Sequence, residues 1–117
     1  MLFFCGILAP NMPVIRKRDA EPYKATGIKN ALHYAFPDVE RGYSVYFFRL
    51  TKHHEQQTLG GRPRIYYITG GAGVFNIKGK KMRVKKDDVV AIPPRTTYDY
   101  WPTSRALSCI IFMEAAK

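Results

Sequence analysis

Residues 65–98 read IYYITGGAGVFNIKGKKMRVKKDDVVAIPPRTTY, and this stretch decides the fold. It starts as a strand of β-branched and aromatic residues that runs into a glycine turn at 70–71. A hairpin around Gly79 follows, and then a further strand that leads into a proline corner at 93–94. Short strands separated by glycine and proline turns indicate an antiparallel sandwich or barrel.

The remainder of the chain continues this pattern. We predict strands at 43–50, 64–69, 73–78, 81–85, 88–92, 97–101 and 106–113. The polar stretch 51–63 is predicted as a loop, and residues 12–42 as short strands and loops with paired pieces at 14–15 and 31–34. No amphipathic helix is evident, and a chain of 117 residues rarely supports two cores, so we predict one all-β domain.

Composition narrows the class of protein. The chain is 46% hydrophobic and 14% aromatic, which supports a packed core and argues against disorder. Cys5 and Cys109 form no C-x-x-C pair and are too few for a disulfide framework, as in reduced cytoplasmic proteins. The apolar opening at 1–11 lacks a basic n-region and is too short for a membrane segment, and Met12 is an alternative start. We therefore expect a cytoplasmic protein with no membrane partner.

The net charge of +10 is concentrated in two basic runs, at 16–18 and at 78–86. Such a charge raises the question of nucleic acid as a partner. No recognition helix, zinc finger or RNA-binding motif accompanies the runs, and lysines on a hairpin commonly form a solvated face or protect an edge strand. We therefore do not expect nucleic-acid binding as the main function, and attraction to small anions is better supported.

The segment at 87–94, DDVVAIPP, resembles the G-D-x-x-x-I-P-x-G corner of the cupin superfamily. The fifteen residues from Ala72 to Lys86 also match the shortest spacer between the two cupin motifs. The resemblance implies a cupin-type jelly-roll barrel, also called a double-stranded β-helix. It divides the single cupin domain, 1–117, into N-terminal strands and loops at 1–42 and a conserved barrel core at 43–113.

In cupins three histidines and one glutamate hold a divalent metal, and here the alignment puts other residue types at all four positions. The glutamate falls on Arg64 and the third histidine on Tyr98. The first two histidines fall on Gln57 and Leu59 or, with the shorter spacing, on Thr58 and Gly60. A guanidinium repels a metal ion, and tyrosine is a poor ligand at neutral pH. The resemblance therefore implies a metal-free site without a cofactor.

The same alignment predicts a binding pocket. If Arg64 and Tyr98 point inward, strand alternation also sends Tyr66 and Tyr100 inward. Arg64 would bind a carboxylate or phosphate through two parallel hydrogen bonds, while the tyrosines stack on an apolar or sugar ring. Arg95 would stand at the mouth and add attraction. We predict that these five residues bind a small anionic or sugar-like molecule.

Other interpretations of these residues stay open. Arg64 could instead pair with an internal acid such as Glu55 or Asp99, and the tyrosines could fill the barrel. A closed, filled barrel would favour a structural or regulatory cupin. Exposed strand edges favour a homodimer, which would cover them.

Catalysis and a displaced metal site depend on the three histidines. A metal-independent sugar epimerase or isomerase would need a base such as His33, His53 or His54 beside Tyr98. A distorted loop that turned His53 or His54 inward would supply metal ligands instead. The sequence itself shows neither arrangement.

Overall fold

The computed structural model describes residues 14–25, 27–36 and 42–114. A short 3-10 turn at Lys17–Asp19 precedes eight strands. The strands are β1 Glu21–Pro22, β2 Ile28–Phe36, β3 Tyr43–Leu50, β4 His54–Thr58, β5 Arg64–Ile77, β6 Lys80–Lys85, β7 Val89–Ile92 and β8 Thr97–Glu114. The predicted all-β fold is confirmed.

Two long strands, β5 and β8, organise the molecule. They pair antiparallel along almost their whole length. The first half of β5 also pairs with β7, and its second half with β6. The first half of β8 pairs with β4, and its second half with β3, which continues to β2 and β1. Each long strand therefore contributes to two sheet halves, which is the arrangement of a jelly-roll barrel.

The bend between the two sheet halves depends on glycine. The register of β5 against β8 shifts on both sides of Gly70–Gly71. Gly71 has φ 78°, and a Cβ at this position would lie 2.0 Å from the carbonyl oxygen of Ala106. Only a residue without a side chain lets the two backbones approach so closely.

The core is an aromatic cluster between the two sheet halves. Tyr66, Phe75, Tyr98 and Tyr100 are at most 1% exposed, and aliphatic residues from β3, β7 and β8 surround them. Alternation along each strand explains this selection, because every second residue of a strand points to the same face. Burial of such large side chains supplies most of the stabilisation that a small barrel has.

Three local predictions were wrong in extent. The strands predicted at 64–69 and 73–78 are one strand, β5, because the glycines form a bulge and not a turn. Those predicted at 97–101 and 106–113 are likewise one strand, β8, with Pro102 paired to Gly73 at the bend. The predicted loop 51–63 contains β4, whose exposed polar residues give no hydrophobic alternation.

The N-terminal predictions have mixed outcomes. Residues 31–34 lie within β2, as expected, whereas Val14 and Ile15 precede the 3-10 turn and belong to no strand. The apolar opening at 1–11 and the alternative start at Met12 lie outside the described residues. Across the ranges that the structure describes, there is no helix with the length and hydropathy required to span a membrane.

Candidate functional site

Three of the positions that the motif alignment assigned to metal ligands contact one another. Gln57 on β4 lies opposite Tyr98 on β8, and Arg64 begins β5 beside them. The Nη1 atom of Arg64 donates hydrogen bonds to Gln57 Oε1 at 3.1 Å and to the Tyr98 hydroxyl at 3.0 Å. The fourth position, Leu59, is buried in the core. A guanidinium thus lies among the positions that the alignment matches to the metal ligands of metal-binding cupins.

A chain of tyrosines supports this arginine from below. The hydroxyl groups of Tyr66 and Tyr98 are hydrogen-bonded at 2.5 Å. The ring of Tyr100 stacks on Tyr98 with centroids 6.0 Å apart and on Phe75 at 4.6 Å. These rings contact one another and fill the barrel. Arg64 lies between this aromatic core and solvent, bonded to the Tyr98 hydroxyl.

The electrostatic state of the cluster follows from burial. Desolvation raises the pKa of Tyr66 and Tyr100 well above the usual tyrosine range, and it also raises the pKa of Tyr98. All three hydroxyls are therefore neutral at physiological pH. Burial opposes the charge on Arg64, but its interactions with Tyr98 and Tyr66 outweigh that effect and raise its pKa. The site holds one permanent cation among neutral hydroxyl and amide groups.

A cavity of about 430 Å³ opens in front of Arg64. It lies between the β4–β5 connection and the end of β8, and its wall comprises Leu59, Gly60, Gly61, Arg62, Pro63, Arg64, Met113 and Glu114. Arg62 and Glu114 form an ion pair across it at 2.8 Å, so these two charges largely offset each other. The cavity is within the size range of small-molecule sites in proteins.

Arg95 lies beside the glycine wall of this cavity. Its backbone N–H donates to the carbonyl of Gly60 at 2.8 Å, and its backbone has the left-handed φ of 56°. A Cβ at Gly61 would lie 3.7 Å from the Arg95 guanidinium, so the side chain passes close to that glycine. Arg64 therefore lines the cavity, Arg95 is an exposed neighbour of its glycine wall, and the three predicted tyrosines are buried behind Arg64.

The acids expected to pair with Arg64 have other environments. Asp99 Oδ2 contacts His53 Nε2 at 2.6 Å, and Asp99 Oδ1 accepts from Asn76 Nδ2 at 2.9 Å. Glu55 is exposed, and its carbonyl accepts a hydrogen bond from His54 Nδ1. Strand alternation explains the position of Asp99, because it points away from the face on which Tyr98 and Tyr100 are buried.

His33 lies apart from His53 and His54, which are adjacent in the chain. The ring of His54 stacks on Tyr100 with centroids 4.8 Å apart, and His33 Nε2 contacts Ser44 Oγ at 3.1 Å. Within residues 14–25, 27–36 and 42–114, no three His, Cys, Asp or Glu side chains are grouped as metal ligands. In the same ranges the Tyr98 hydroxyl bonds to Arg64 and Tyr66 and to no histidine.

Gln57 is the site residue that the sequence reasoning did not single out. It lies on a strand that was predicted as loop, although the motif alignment had already placed it at the first histidine position. That alignment was the signal that could have identified it. Its amide oxygen accepts from the same Nη1 atom of Arg64 as the hydroxyl of Tyr98, its partner across the β4–β8 pair.

Residues 41–115 match the sequence profile of the AraC-like ligand binding domain. The chain belongs to this family. This cupin-type assignment agrees with the barrel and confirms membership of the cupin superfamily. The protein is thus a cupin-like ligand-binding domain. No functionally curated protein matches the sequence significantly.

Solved structures with the same fold are distant in sequence. Pac13, described as a unique nucleoside dehydratase, has a TM-score of 0.74 and 16% identity to this chain. The match covers 92% of this chain and 85% of that chain. Streptomyces variants of Pac13 have been solved with uridine. A predicted oxalate decarboxylase from Thermotoga maritima has a TM-score of 0.71 and 19% identity over 88% and 99%. The cupin domain of Schizosaccharomyces pombe Cnp3 has a TM-score of 0.64 and 12% identity over 75% and 66%. At these identities the likeness shows the fold alone.

Proposed function

We propose that this AraC-like domain is a metal-independent binding protein whose Arg64 binds a small anionic or sugar-like molecule in the cavity of about 430 Å³. The observation that carries the proposal is the contact of Arg64 with Gln57 and Tyr98. These contacts fix a half-buried cation in the wall of a cavity of ligand size. A fixed arginine loses little conformational entropy when a ligand binds.

The geometry leaves donors for an anion. A guanidinium carries five N–H groups, and the bonds to Gln57 and Tyr98 both come from Nη1. A carboxylate or phosphate that enters the cavity can accept from the other nitrogens of the fork. Partial burial lowers the local dielectric constant, which strengthens this attraction relative to an exposed arginine. Arg95 at the glycine wall adds positive potential at the entrance.

The tyrosines have a positioning role in this proposal. Tyr66 and Tyr98 hold Arg64 through the hydroxyl chain, and Tyr100 packs against Tyr98 beneath it. The five residues that the sequence analysis selected therefore act as two contact groups, Arg64 and Arg95, on a tyrosine support.

Metal independence is supported by the chemistry of the donors. At the aligned ligand positions the cluster offers a neutral amide oxygen, a neutral phenol and a permanent cation. The pKa of Tyr98 is raised by burial, so this phenol is not converted to phenolate at neutral pH. Divalent transition metals require imidazole, carboxylate or thiolate donors, and the guanidinium repels them.

Binding is favoured over catalysis. The fold is shared with Pac13, but in the described residues the Tyr98 hydroxyl is bonded to Arg64 and Tyr66, and no histidine bonds to it as the base that an epimerase or dehydratase would need. The filled barrel interior is compatible with a regulatory, non-catalytic cupin whose ligand binds at the barrel mouth. We further propose a single domain over 1–117 that acts in the cytoplasm.

A homodimer is supported by one exposed face of the β3–β8–β5 sheet half. Tyr43, Phe47, Ile65, Val89 and Phe112 are between 39% and 63% exposed. Phe112 lies opposite both Val45 and Ile65, so apolar side chains of neighbouring strands adjoin one another. Contiguous apolar surface of this kind marks interaction sites. Light scattering after gel filtration tests the dimer, with Phe112→Lys expected to give a monomer.

Isothermal calorimetry in the presence of a chelator tests the ligand proposal. The probes are D-glucuronate, inorganic phosphate and D-glucose, which separate carboxylate, phosphate and sugar recognition. We expect at least one anion to bind, and Arg64→Gln to weaken that binding by about 100-fold, since an ionic hydrogen-bonded pair contributes a few kcal/mol. The matched control is Arg105→Gln, which removes an exposed arginine of the same charge from β8. Equal losses in both variants would reject the proposal.

A further inference from the structure

The basic hairpin is not used by the Arg64 cavity and has features of its own. Six cations lie within nine residues, at Lys78, Lys80, Lys81, Arg83, Lys85 and Lys86, and all six side chains are exposed. In the part of the chain that the structure describes, none of them forms an ion pair. Such an array attracts anions and repels a second copy of itself.

Strand β6 lies at the edge of its sheet half. It pairs with β5 on one side, and among the described residues no strand pairs with its other side. An edge of this kind presents unpaired backbone N–H and C=O groups, which can accept an additional strand. At Lys85 both backbone groups are bonded to Asp88, whose Oδ2 accepts from the N–H at 2.8 Å and whose N–H donates to the C=O at 3.0 Å, so the open part of the edge lies around Lys81 and Arg83. Only a polypeptide can make this ladder of backbone hydrogen bonds, so the open edge favours a peptide over a nucleic acid.

Val84 fixes the direction of the side chains of β6, because it is the one buried residue of this strand. Val84 is buried at 8% exposure, which means that it points into the barrel. Lys81, Arg83 and Lys85 therefore point to the opposite, outer face. Their spacing along the strand is about 6.8 Å, because a strand rises about 3.4 Å per residue. An extended peptide repeats its side chains on one face at the same interval.

The acidic groups near this ladder are few and already engaged. Asp88 accepts from the backbone N–H of Lys85, and Asp87 accepts from the hydroxyl of Tyr67. Asp99 is two strands away on β8 and contacts His53 and Asn76. The ladder at Lys81, Arg83 and Lys85 thus has no acid opposite it within the described chain.

We infer that β6 binds an extended acidic segment of a partner protein, with acidic residues at every second position. The segment would add as a strand to the open edge around Lys81 and Arg83, and its acids would lie opposite these two side chains and within reach of the exposed side chain of Lys85. Its intervening residues would lie beside Met82, which is 39% exposed. The same charges disfavour pairing of β6 with a second copy, since like charges directly opposite are destabilising. This interaction is separate from the ligand cavity and does not depend on it.

Fluorescence anisotropy with the full chain at low ionic strength tests this inference. One labelled decapeptide alternates glutamate and threonine, and a second has the same composition with five glutamates followed by five threonines. The alternating peptide should bind about tenfold more tightly, because three opposite-charge pairs across a ladder each change affinity by up to about fivefold. Bound peptide should also slow amide hydrogen exchange in β6.

The variant Lys81→Glu/Arg83→Glu/Lys85→Glu should lose at least tenfold in affinity for the alternating peptide. The matched control, Lys17→Glu/Lys24→Glu/Lys29→Glu, changes the net charge equally at exposed positions elsewhere and should retain most of it. The inference is overturned by equal loss in the two variants, by equal binding of the two peptides, or by no binding. Tighter binding of a decathymidylate oligonucleotide would also overturn it and would make nucleic acid the partner.

Discussion

Replacement of Tyr98 by phenylalanine removes one oxygen atom and two hydrogen bonds. The Tyr98 hydroxyl accepts from Arg64 at 3.0 Å and is hydrogen-bonded to the Tyr66 hydroxyl at 2.5 Å. Tyr66 is fully buried, so water cannot replace the lost partner. Arg64 is half-buried, so water can partly replace its lost hydrogen bond to Tyr98, and the energetic cost at Arg64 is smaller than the cost at Tyr66.

The magnitude follows from these two burials. A buried hydroxyl without a partner costs about 1–3 kcal/mol, and the loss at Arg64 adds roughly 1 kcal/mol. We therefore expect Tyr98→Phe to lower the free energy of unfolding by about 2–4 kcal/mol. Tyr66→Phe should cost only about 1 kcal/mol, because the Tyr98 hydroxyl keeps its bond to Arg64.

The double variant gives the sharpest test. Once Tyr98 is phenylalanine, the Tyr66 hydroxyl is a buried group without its partner, and its removal relieves that penalty. Tyr66→Phe/Tyr98→Phe should thus be at least as stable as Tyr98→Phe alone, with a coupling energy of about 1 kcal/mol or more.

Urea unfolding followed by fluorescence of Trp101, the one tryptophan of the chain, measures all four proteins. The slope of free energy against urea should be unchanged among them. Additive costs of Tyr66→Phe and Tyr98→Phe would refute the hydroxyl chain as the support of Arg64.

Three further predictions concern stability. Arg64→Gln should change the unfolding free energy by less than about 1 kcal/mol, because removal of a half-buried cation offsets the lost bonds; a loss above about 3 kcal/mol in the same urea assay would make Arg64 a structural residue. Gly71→Ala should lower the free energy of unfolding by well over 2 kcal/mol, because its Cβ would meet the Ala106 carbonyl. The control Gly79→Ala, at a residue with φ 83° and no atom within 4 Å of an added Cβ, should cost about 1–2 kcal/mol. Similar losses for the two variants in calorimetric melting would contradict the close approach of β5 and β8. The free energy of unfolding should fall as pH rises above about 9, because burial raises the folded-state pKa of Cys109 from 9.0 to about 12 and also raises the pKa values of Tyr66, Tyr98 and Tyr100. The unfolded chain then loses these protons at a lower pH than the folded state does, which favours unfolding. A urea midpoint that stays constant between pH 8 and pH 11 would argue against buried, neutral hydroxyls.

Much of the fold could be predicted from local pattern. The β run at 43–50 and the spacing between Ala72 and Lys86 are both realised in the structure. The bulge at Gly70–Gly71 was read as a chain reversal, because glycine serves both purposes and only the partner strand decides between them. Strand β4 could not be found by hydrophobic alternation, because its position is fixed by pairing with β8 and not by its own burial.

Part of the candidate site could be predicted from strand alternation. Alternation from Arg64 correctly predicts that Tyr66 is inward, and alternation from Tyr98 does the same for Tyr100. The sequence could not show that these rings pack on one another, which depends on the distance between the first half of β5 and the first half of β8, which lie in different sheet halves. The sequence also could not show that Arg64 bonds to Gln57 and Tyr98 and not to Asp99, because the distances among these side chains are set by the folded structure. The outward ladder of β6 likewise required the burial of Val84 to fix its direction.

We propose that Arg64 takes the place of a metal at the mouth of the barrel. The decisive measurement is plasma mass spectrometry of untagged protein, before and after incubation with iron, nickel, manganese and zinc. We expect far less than one metal ion per chain in every sample, with D-glucuronate or phosphate binding unchanged by chelator. A metal content near one per chain that is lost on replacement of His53 or His54 would contradict it.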